Sequence, residues 1–142
     1  MIHDDLKAKI VWAGKQAWHE GNVDAFDEIY DSDYVWHRPP FPDLQGLEAV
    51  KQSVAETRQA YSDIEFTYGE MVAEGDCIAY RYQGTMKHTG ESPTLGIPPT
   101  GNEVTLKGYI LVRVQDGKIV EEYEYSDYLG FLQQLGVIPQ MG

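Results

Sequence analysis

Val104-Thr105-Leu106-Lys107-Gly108-Tyr109-Ile110-Leu111-Val112-Arg113-Val114-Gln115, then Asp116-Gly117, then Lys118-Ile119-Val120-Glu121-Glu122-Tyr123-Glu124-Tyr125-Ser126, is the stretch whose reading decides the fold. Two runs rich in β-branched and aromatic residues flank an Asp-Gly pair, which is a strong hairpin signal. Upstream the same texture continues. Ile64, Phe66 and Tyr68 alternate with polar neighbours, Gly75-Asp76 marks a turn, and Ile78, Tyr80 and Tyr82 alternate again. Between these strands and the hairpin runs a loop from His88 to Gly101, studded with Gly90, Pro93, Gly96, Pro98 and Pro99, of the length that usually serves as a lid or rim.

Earlier still, the period changes from two to about 3.6. Leu6, Ile10, Ala13 and Ala17 recur at threes and fours between Asp4 and Glu20, which predicts an amphipathic helix ended by Gly21-Asn22. Asn22 is placed to cap a short second helix carrying Val23, Phe26, Ile29 and Tyr30. A short strand, Tyr34 to His37, runs into Arg38-Pro39-Pro40-Phe41-Pro42, where the prolines exclude both helix and central strand. Leu47, Val50, Val54, Thr57 and Tyr61 mark the inner face of a third helix. After the hairpin, Tyr128 to Leu135 reads as a closing helix stopped by Gly136. Helices grouped before a meandering antiparallel sheet exclude the alternating βαβ class and predict an α+β domain over residues 1–142, its helices on one face of a bent sheet.

Composition bounds the partners. The formal net charge is −12, with 11 Lys and Arg that never cluster, so neither nucleic acid nor an anionic membrane is an expected partner. No run approaches the roughly 18 apolar residues of a membrane span. Met1-Ile2-His3-Asp4-Asp5 lacks the basic and apolar pattern of a signal peptide, and a cytoplasmic location is expected. The single Cys77 cannot form an internal disulfide and reads first as a small core residue. No His, Cys or Asp grouping has metal-ligand spacing, and no phosphate-binding or nucleophile motif occurs, so neither metal nor cofactor is expected.

Three motifs carry a resemblance. Gly117-Lys118-Ile119-Val120-Glu121-Glu122-Tyr123-Glu124 followed by Asp127, Gly130 and Leu132-Gln133-Gln134-Leu135-Gly136, the loop Gly96-Ile97-Pro98-Pro99-Thr100-Gly101, and Asp43-Leu44-Gln45-Gly46-Leu47-Glu48-Ala49-Val50 together resemble the SnoaL-like polyketide cyclases. The resemblance implies the NTF2-like (cystatin-like) cone, in which N-terminal helices and a curved antiparallel sheet enclose a pocket. It also implies homodimers or homotetramers built on the outer sheet face. Members of that family close a ring of a polyketide ester by an intramolecular aldol reaction without metal or cofactor, using an acid on the last strand; Glu124 occupies that position. The fold also resembles ketosteroid isomerases, scytalone dehydratases and epoxide hydrolases, so isomerisation, dehydration, epoxide hydrolysis or plain binding of a hydrophobic, carbonyl-bearing small molecule are the alternatives.

The catalytic candidates are Glu124, Asp127 and His88. Asp127, at the strand-to-helix junction, is equally placed to cap the closing helix. His88 opens the long loop and matches a His of the resembling cyclases, which makes it a candidate donor at the pocket rim. Trp36, His37, Phe41, Tyr61, Tyr80, Tyr109, Ile110 and Tyr123 are the candidate pocket residues. Ile110 is a departure, because the resembling cyclases place a His or Asp there. Which way Glu124 points depends on the turn. A two-residue turn pairs Val114 with Ile119 and sets Glu124 opposite Tyr109; a three-residue bulged turn pairs Val114 with Lys118 and sets Glu124 beside Gly108, Ile110 and Val112. The apolar pattern favours the first arrangement. The resemblance favours the second, with Glu124 inside.

Overall fold

The computed structural model describes residues 3–92 and 94–141; the first two residues, read above for a leader, and Pro93 of the long loop lie outside it. Helix α1 spans Asp4–Gly14 and runs on into one wide π-helical turn, Lys15–His19, so the predicted first helix exists but changes pitch before Gly21. A 3-10 helix, Val23–Glu28, follows. Asn22 does not cap it through its side chain, which donates instead to Gln16 Oε1 at 3.2 Å; the backbone carbonyl of Asn22 takes the Ala25 N–H. Strand β1, Tyr30–His37, begins four residues earlier than its pattern predicts, because Tyr30 leaves the helical turn to pair with Ile119. A two-residue strand β2, Leu44–Gln45, helix α2, Leu47–Ala60, strands β3, Tyr61–Glu74, β4, Cys77–His88, β5, Glu103–Gln115, and β6, Lys118–Ser126, and helix α3, Tyr128–Gln134, complete the chain.

The six strands form one curved sheet in the order β2-β1-β6-β5-β4-β3. Every neighbouring pair is antiparallel except β1 and β6, which run parallel. That pair departs from the purely antiparallel sheet expected, and the chain can make it because most of its length separates the two strands, far more than a parallel crossover needs. Cys77, expected in the core, is half-buried at the start of β4 with its thiol on Asp76 Oδ1 at 3.3 Å, since the β3–β4 turn holds it at the sheet end. Among the described residues no helix is long and apolar enough to cross a membrane.

Two apolar clusters fill the space between helices and sheet. One joins Leu6, Ile10 and Ala13 of α1 and Val50 and Val54 of α2 to Ile78, Val112 and Ile119. The other joins Phe131 of α3 and Leu135, just past its end, to Tyr61, Phe66, Tyr82 and Val104. Trp18, Tyr68 and Ile110 touch both, and the hollow described below lies between them.

The β5–β6 turn resolves the register question in an unexpected way. Asp116 and Gly117 have φ of 53° and 78°, the two left-handed residues of a two-residue hairpin turn, and Val114 pairs with Ile119. The next pair, however, is Arg113 with Glu121, which leaves Val120 as an unpaired extra residue on β6. From there Val112 faces Glu122, Ile110 faces Glu124 and Gly108 faces Ser126. The turn is the first alternative and the side-chain orientation is the second, since the bulge lies in the strand rather than in the turn.

The long loop is fastened to α2. Thr89 and Gly90 both donate to the Ala60 carbonyl, at 3.1 and 2.9 Å, and a Cβ on Gly90 would lie 2.1 Å from the Gln59 carbonyl oxygen. A backbone oxygen cannot swing aside as a side chain can. Gly90→Ala is therefore expected to lower stability by about 1–3 kcal/mol, read as a fall in the urea midpoint at unchanged slope; an unchanged midpoint would show that the loop does not need this close approach.

Candidate functional site

The bulge at Val120 turns Glu122 and Glu124 to the inner face of β6, where both are buried. They border a cavity of about 160 Å³ walled by the helices, the sheet and the long loop. Glu124 is 3 % exposed, and its carboxylate accepts from four side chains. Trp36 Nε1 donates to Oε1 at 3.1 Å, while Tyr82 OH, Ser126 Oγ and Tyr128 OH lie 2.8, 2.7 and 2.8 Å from Oε2. Each donor comes from a different place: Trp36 from β1, Tyr82 from β4, Ser126 two residues along β6 and Tyr128 from the first turn of α3. Tyr82 and Ser126 also lie within hydrogen-bond distance of each other, and as each hydroxyl carries one proton, that contact is a bond only when one of them turns from Oε2 to the other. Burial first, and then the Glu124 charge, hold the Tyr82 and Tyr128 phenols far above the ordinary tyrosine range.

Glu122 is in a different situation. Its Oε1 accepts one bond, from Tyr30 OH at 2.8 Å, and Tyr30 stacks on Tyr34 with ring centroids 4.1 Å apart. Burial with so little hydrogen-bond compensation pushes the Glu122 carboxyl up to about 8; the Tyr30 bond opposes the shift and the Glu124 charge adds to it. Near neutral pH Glu122 is thus mainly a neutral acid, able to donate. Sequence reading missed it, although strand alternation held the signal: once Glu124 is inward, the residue two positions earlier shares its face.

Of the sequence-predicted residues, Trp36, Phe41, Tyr61, Tyr80, Ile110 and Glu124 lie on the cavity wall. Others do not. Tyr109 and Tyr125 pair on the opposite face of the sheet, 67 % and 66 % exposed, because the bulge sends odd-numbered β6 residues outward. Tyr123 is on that outer face too, stacked on His37 with centroids 4.6 Å apart. His37 is there engaged by Asp43 Oδ2 at 3.0 Å and Glu121 Oε2 at 2.9 Å, which raises its pKa, Glu121 contributing most. Asp127 is exposed and caps α3, its Oδ1 accepting the Gly130 N–H at 2.8 Å. His88 is not a rim donor. It is wholly buried at the end of β4, and its Nδ1 accepts the Thr100 N–H at 3.1 Å, pinning the two ends of the long loop together. Burial lowers its pKa, in keeping with an unprotonated Nδ1. The loop reaches the cavity through Ser92, Thr94 and Leu95 instead.

The family model of the SnoaL-like polyketide cyclases matches residues 8–135 of this chain. The chain belongs to that family. SnoaL-like relatives include aklanonic acid methyl ester cyclase DnrD of Streptomyces peucetius, 28 % identical over 130 residues covering 85 % of this chain and 84 % of that one. Aklanonic acid methyl ester cyclase DauD of Streptomyces sp. (strain C5) is 31 % identical over 130 residues, covering 85 % of this chain and 76 % of that one. A Catenulispora acidiphila DSM 44928 protein of ketosteroid isomerase-like fold superposes with a TM-score of 0.72 at 19 % identity, covering 91 % of this chain and 93 % of that one. The SnoaL-like chain therefore has the NTF2-like, ketosteroid isomerase-like fold that its motifs imply.

The state of Glu122 makes a prediction about stability. Unfolded, this glutamate loses its proton near 4.5; folded, it keeps it until about 8. Between those values the native state binds more protons than the unfolded one, so stability falls as pH rises through this window and is unaffected by this group below it. In Glu122→Gln, which keeps an acceptor for Tyr30, this contribution disappears. The variant is expected to gain on the wild type by a few kcal/mol between pH 4.5 and pH 8, measured by urea unfolding across that range; parallel pH curves would show that Glu122 is ionised in the fold.

Proposed function

We propose that this chain is a cofactor-independent cyclase that closes a ring by an intramolecular aldol reaction, with Glu124 as the base and Glu122 as the hydrogen-bond donor to the enolate oxygen. The observation that carries this reading is the pairing, on one inner strand face, of a carboxyl group contacted by four side-chain donors with a buried one contacted by a single tyrosine hydroxyl.

The lone pairs of Glu124 support its role. Three donors crowd Oε2, whereas Oε1 accepts only from Trp36 and keeps a lone pair for a substrate proton. In the first step Oε1 takes the proton from a carbon beside a carbonyl, and the C–H pair becomes the enolate π bond. The charge that grows on the carbonyl oxygen is met by the Glu122 O–H. In the second step the enolate carbon attacks a second carbonyl of the same molecule, forming the new C–C bond, and the resulting alkoxide recovers the proton from Glu124. No atom is gained or lost. Ile110, opposite Glu124, supplies no polar group, and Glu122 stands in for the missing partner.

The same pair of acids serves an isomerase if the enolate is reprotonated at another carbon before it meets a second carbonyl; product structure separates the two. The cavity is apolar over much of its wall, with Trp18, Phe66, Tyr68, Tyr80, Ile110 and Phe131 among its lining. Its volume of about 160 Å³ is close to the roughly 150 Å³ of a cavity that admits one benzene. A larger substrate thus seats one ring inside and extends through the open side.

Replacing Glu124 with Gln keeps the shape and an acceptor for Trp36 but removes the base. Turnover of a β-keto methyl ester of the polyketide type is expected to fall by about a hundredfold or more, with the circular dichroism spectrum and melting temperature close to wild type. Retained turnover in that variant sinks the assignment of Glu124 as base.

A further inference from the structure

Arg38 is the one Lys or Arg among the described residues that line the cavity. It is half-buried at the end of β1, where the chain enters the proline-rich loop. Its guanidinium carbon lies 5.3 Å from the Trp36 ring centroid and 5.7 Å from that of Phe41, and both rings line the same cavity. Nε donates to the Pro42 carbonyl at 3.1 Å. That is the only hydrogen bond the Arg38 side chain makes among the described residues, and no carboxylate there lies within ion-pair distance of it.

In a chain with 23 acidic and 11 basic residues, a guanidinium beside the acid-lined cavity and without an acidic partner calls for explanation. It is not a contact counter-ion for Glu124, whose four hydrogen-bond donors are all uncharged side chains. The Arg38 charge does reach the site, since it draws the Tyr128 phenol down against the other influences on it. Trp36 connects the two ends: its indole N–H binds Glu124, and its ring lies under Arg38. A ligand laid along this indole presents one end to Glu124 and the other to the two terminal guanidinium nitrogens. Those nitrogens form a planar fork that matches a carboxylate with two parallel N–H···O bonds. The stacked rings and the Pro42 bond already restrict the side chain, so little further ordering is needed on binding.

We infer that the cavity takes an aromatic or alicyclic carboxylic acid, bound as the free carboxylate by Arg38 with its ring system against Trp36 and Phe41. This rests on the reading of the cavity as the substrate site, and on nothing about which bond is made there. It separates this chain from its relatives named for methyl esters, since an ester gives the fork no negative charge. Phosphate fits less well, because neither a lysine nor a second arginine lines the cavity to share its second charge.

The test is direct binding of 2-naphthoate, methyl 2-naphthoate and 2-naphthyl phosphate at pH 7, by calorimetry, to the wild type, Arg38→Met, Arg38→Lys and Glu124→Gln. Charged hydrogen bonds of this kind are worth about a tenfold to hundredfold in affinity. The wild type is expected to bind naphthoate at least about tenfold tighter than its ester. Arg38→Met, which keeps the apolar stem, loses that preference while binding the ester unchanged, so the ester reports that the pocket is intact. Arg38→Lys is intermediate, and Glu124→Gln keeps the preference, because the anion does not sit on the base. Equal affinity for acid and ester in the wild type, a preference that survives Arg38→Met, or tighter binding of the phosphate overturns the inference while leaving the cavity as the site. If neither naphthoate nor its ester binds, the cavity reading fails and this inference with it.

Discussion

Between the Val114–Ile119 and Arg113–Glu121 pairs, β6 passes Val120 without a partner on β5, and the acidic floor of the cavity depends on that surplus residue. Side chains alternate strictly along a strand, so one extra residue exchanges the faces of all that follow. With it, Ile119 stays in the core, and Glu122 and Glu124 then take the inward positions. Without a compensating bulge, a hairpin continued from this two-residue turn would send Tyr123 and Tyr125 inward and leave both of these acids in water. Strand β1 adjusts at the same place, pairing Tyr30 with Ile119 and then Val35 with Glu121. The irregularity is thus shared by both neighbours of β6, and it brings Trp36 to the same stretch of the cavity as Glu124.

Two carboxyl groups two residues apart on one strand face differ in their hydrogen-bond supply. Burial penalises the charged form of Glu122. Four donors converge on Glu124, whereas a single tyrosine hydroxyl serves Glu122. The two sites also interact, since a charge on Glu124 makes a second charge on Glu122 harder to form. The donors themselves are bound into the fold: Tyr128 opens α3, whose Phe131, with Leu135 just past its end, closes one apolar cluster, so the helix that borders the cavity also holds a donor to Glu124.

Much of this architecture is legible in the chain. The Asp116-Gly117 pair, the alternation through Ile78, Tyr80 and Tyr82, and the helical stripe of Leu6 and Ile10 lead to the right elements in the right order, because each is local chemistry. The family motifs point to Glu124. The bulge is not legible, since Val120 is as good a paired strand residue as its neighbours and only the packing of three strands decides which one is surplus. His88 shows the same limit from the other side. A histidine at a loop mouth reads as a donor to a ligand, but its role is fixed by Thr100, twelve residues away, whose N–H it accepts. Asp127, by contrast, had its helix cap written in its position before Tyr128, and the cap is what forms.

Ile110 shapes the polarity of the site by what it lacks. It sits directly across from Glu124 on β5, touching both apolar clusters, and a polar side chain there would have faced that carboxyl group across one strand spacing. With an isoleucine in that position, polarity moves from across the strand to along it, to Glu122. Glu122, on the same strand face, lies beside Glu124 instead of opposite it, which leaves the wall around Ile110 and Phe131 apolar. The surroundings that burial creates are also those that keep Glu122 protonated and able to donate. The loss of a polar partner on β5 and the neutral acid on β6 are therefore consequences of one arrangement, in which an apolar cavity is built against a strand whose register has been shifted to face it.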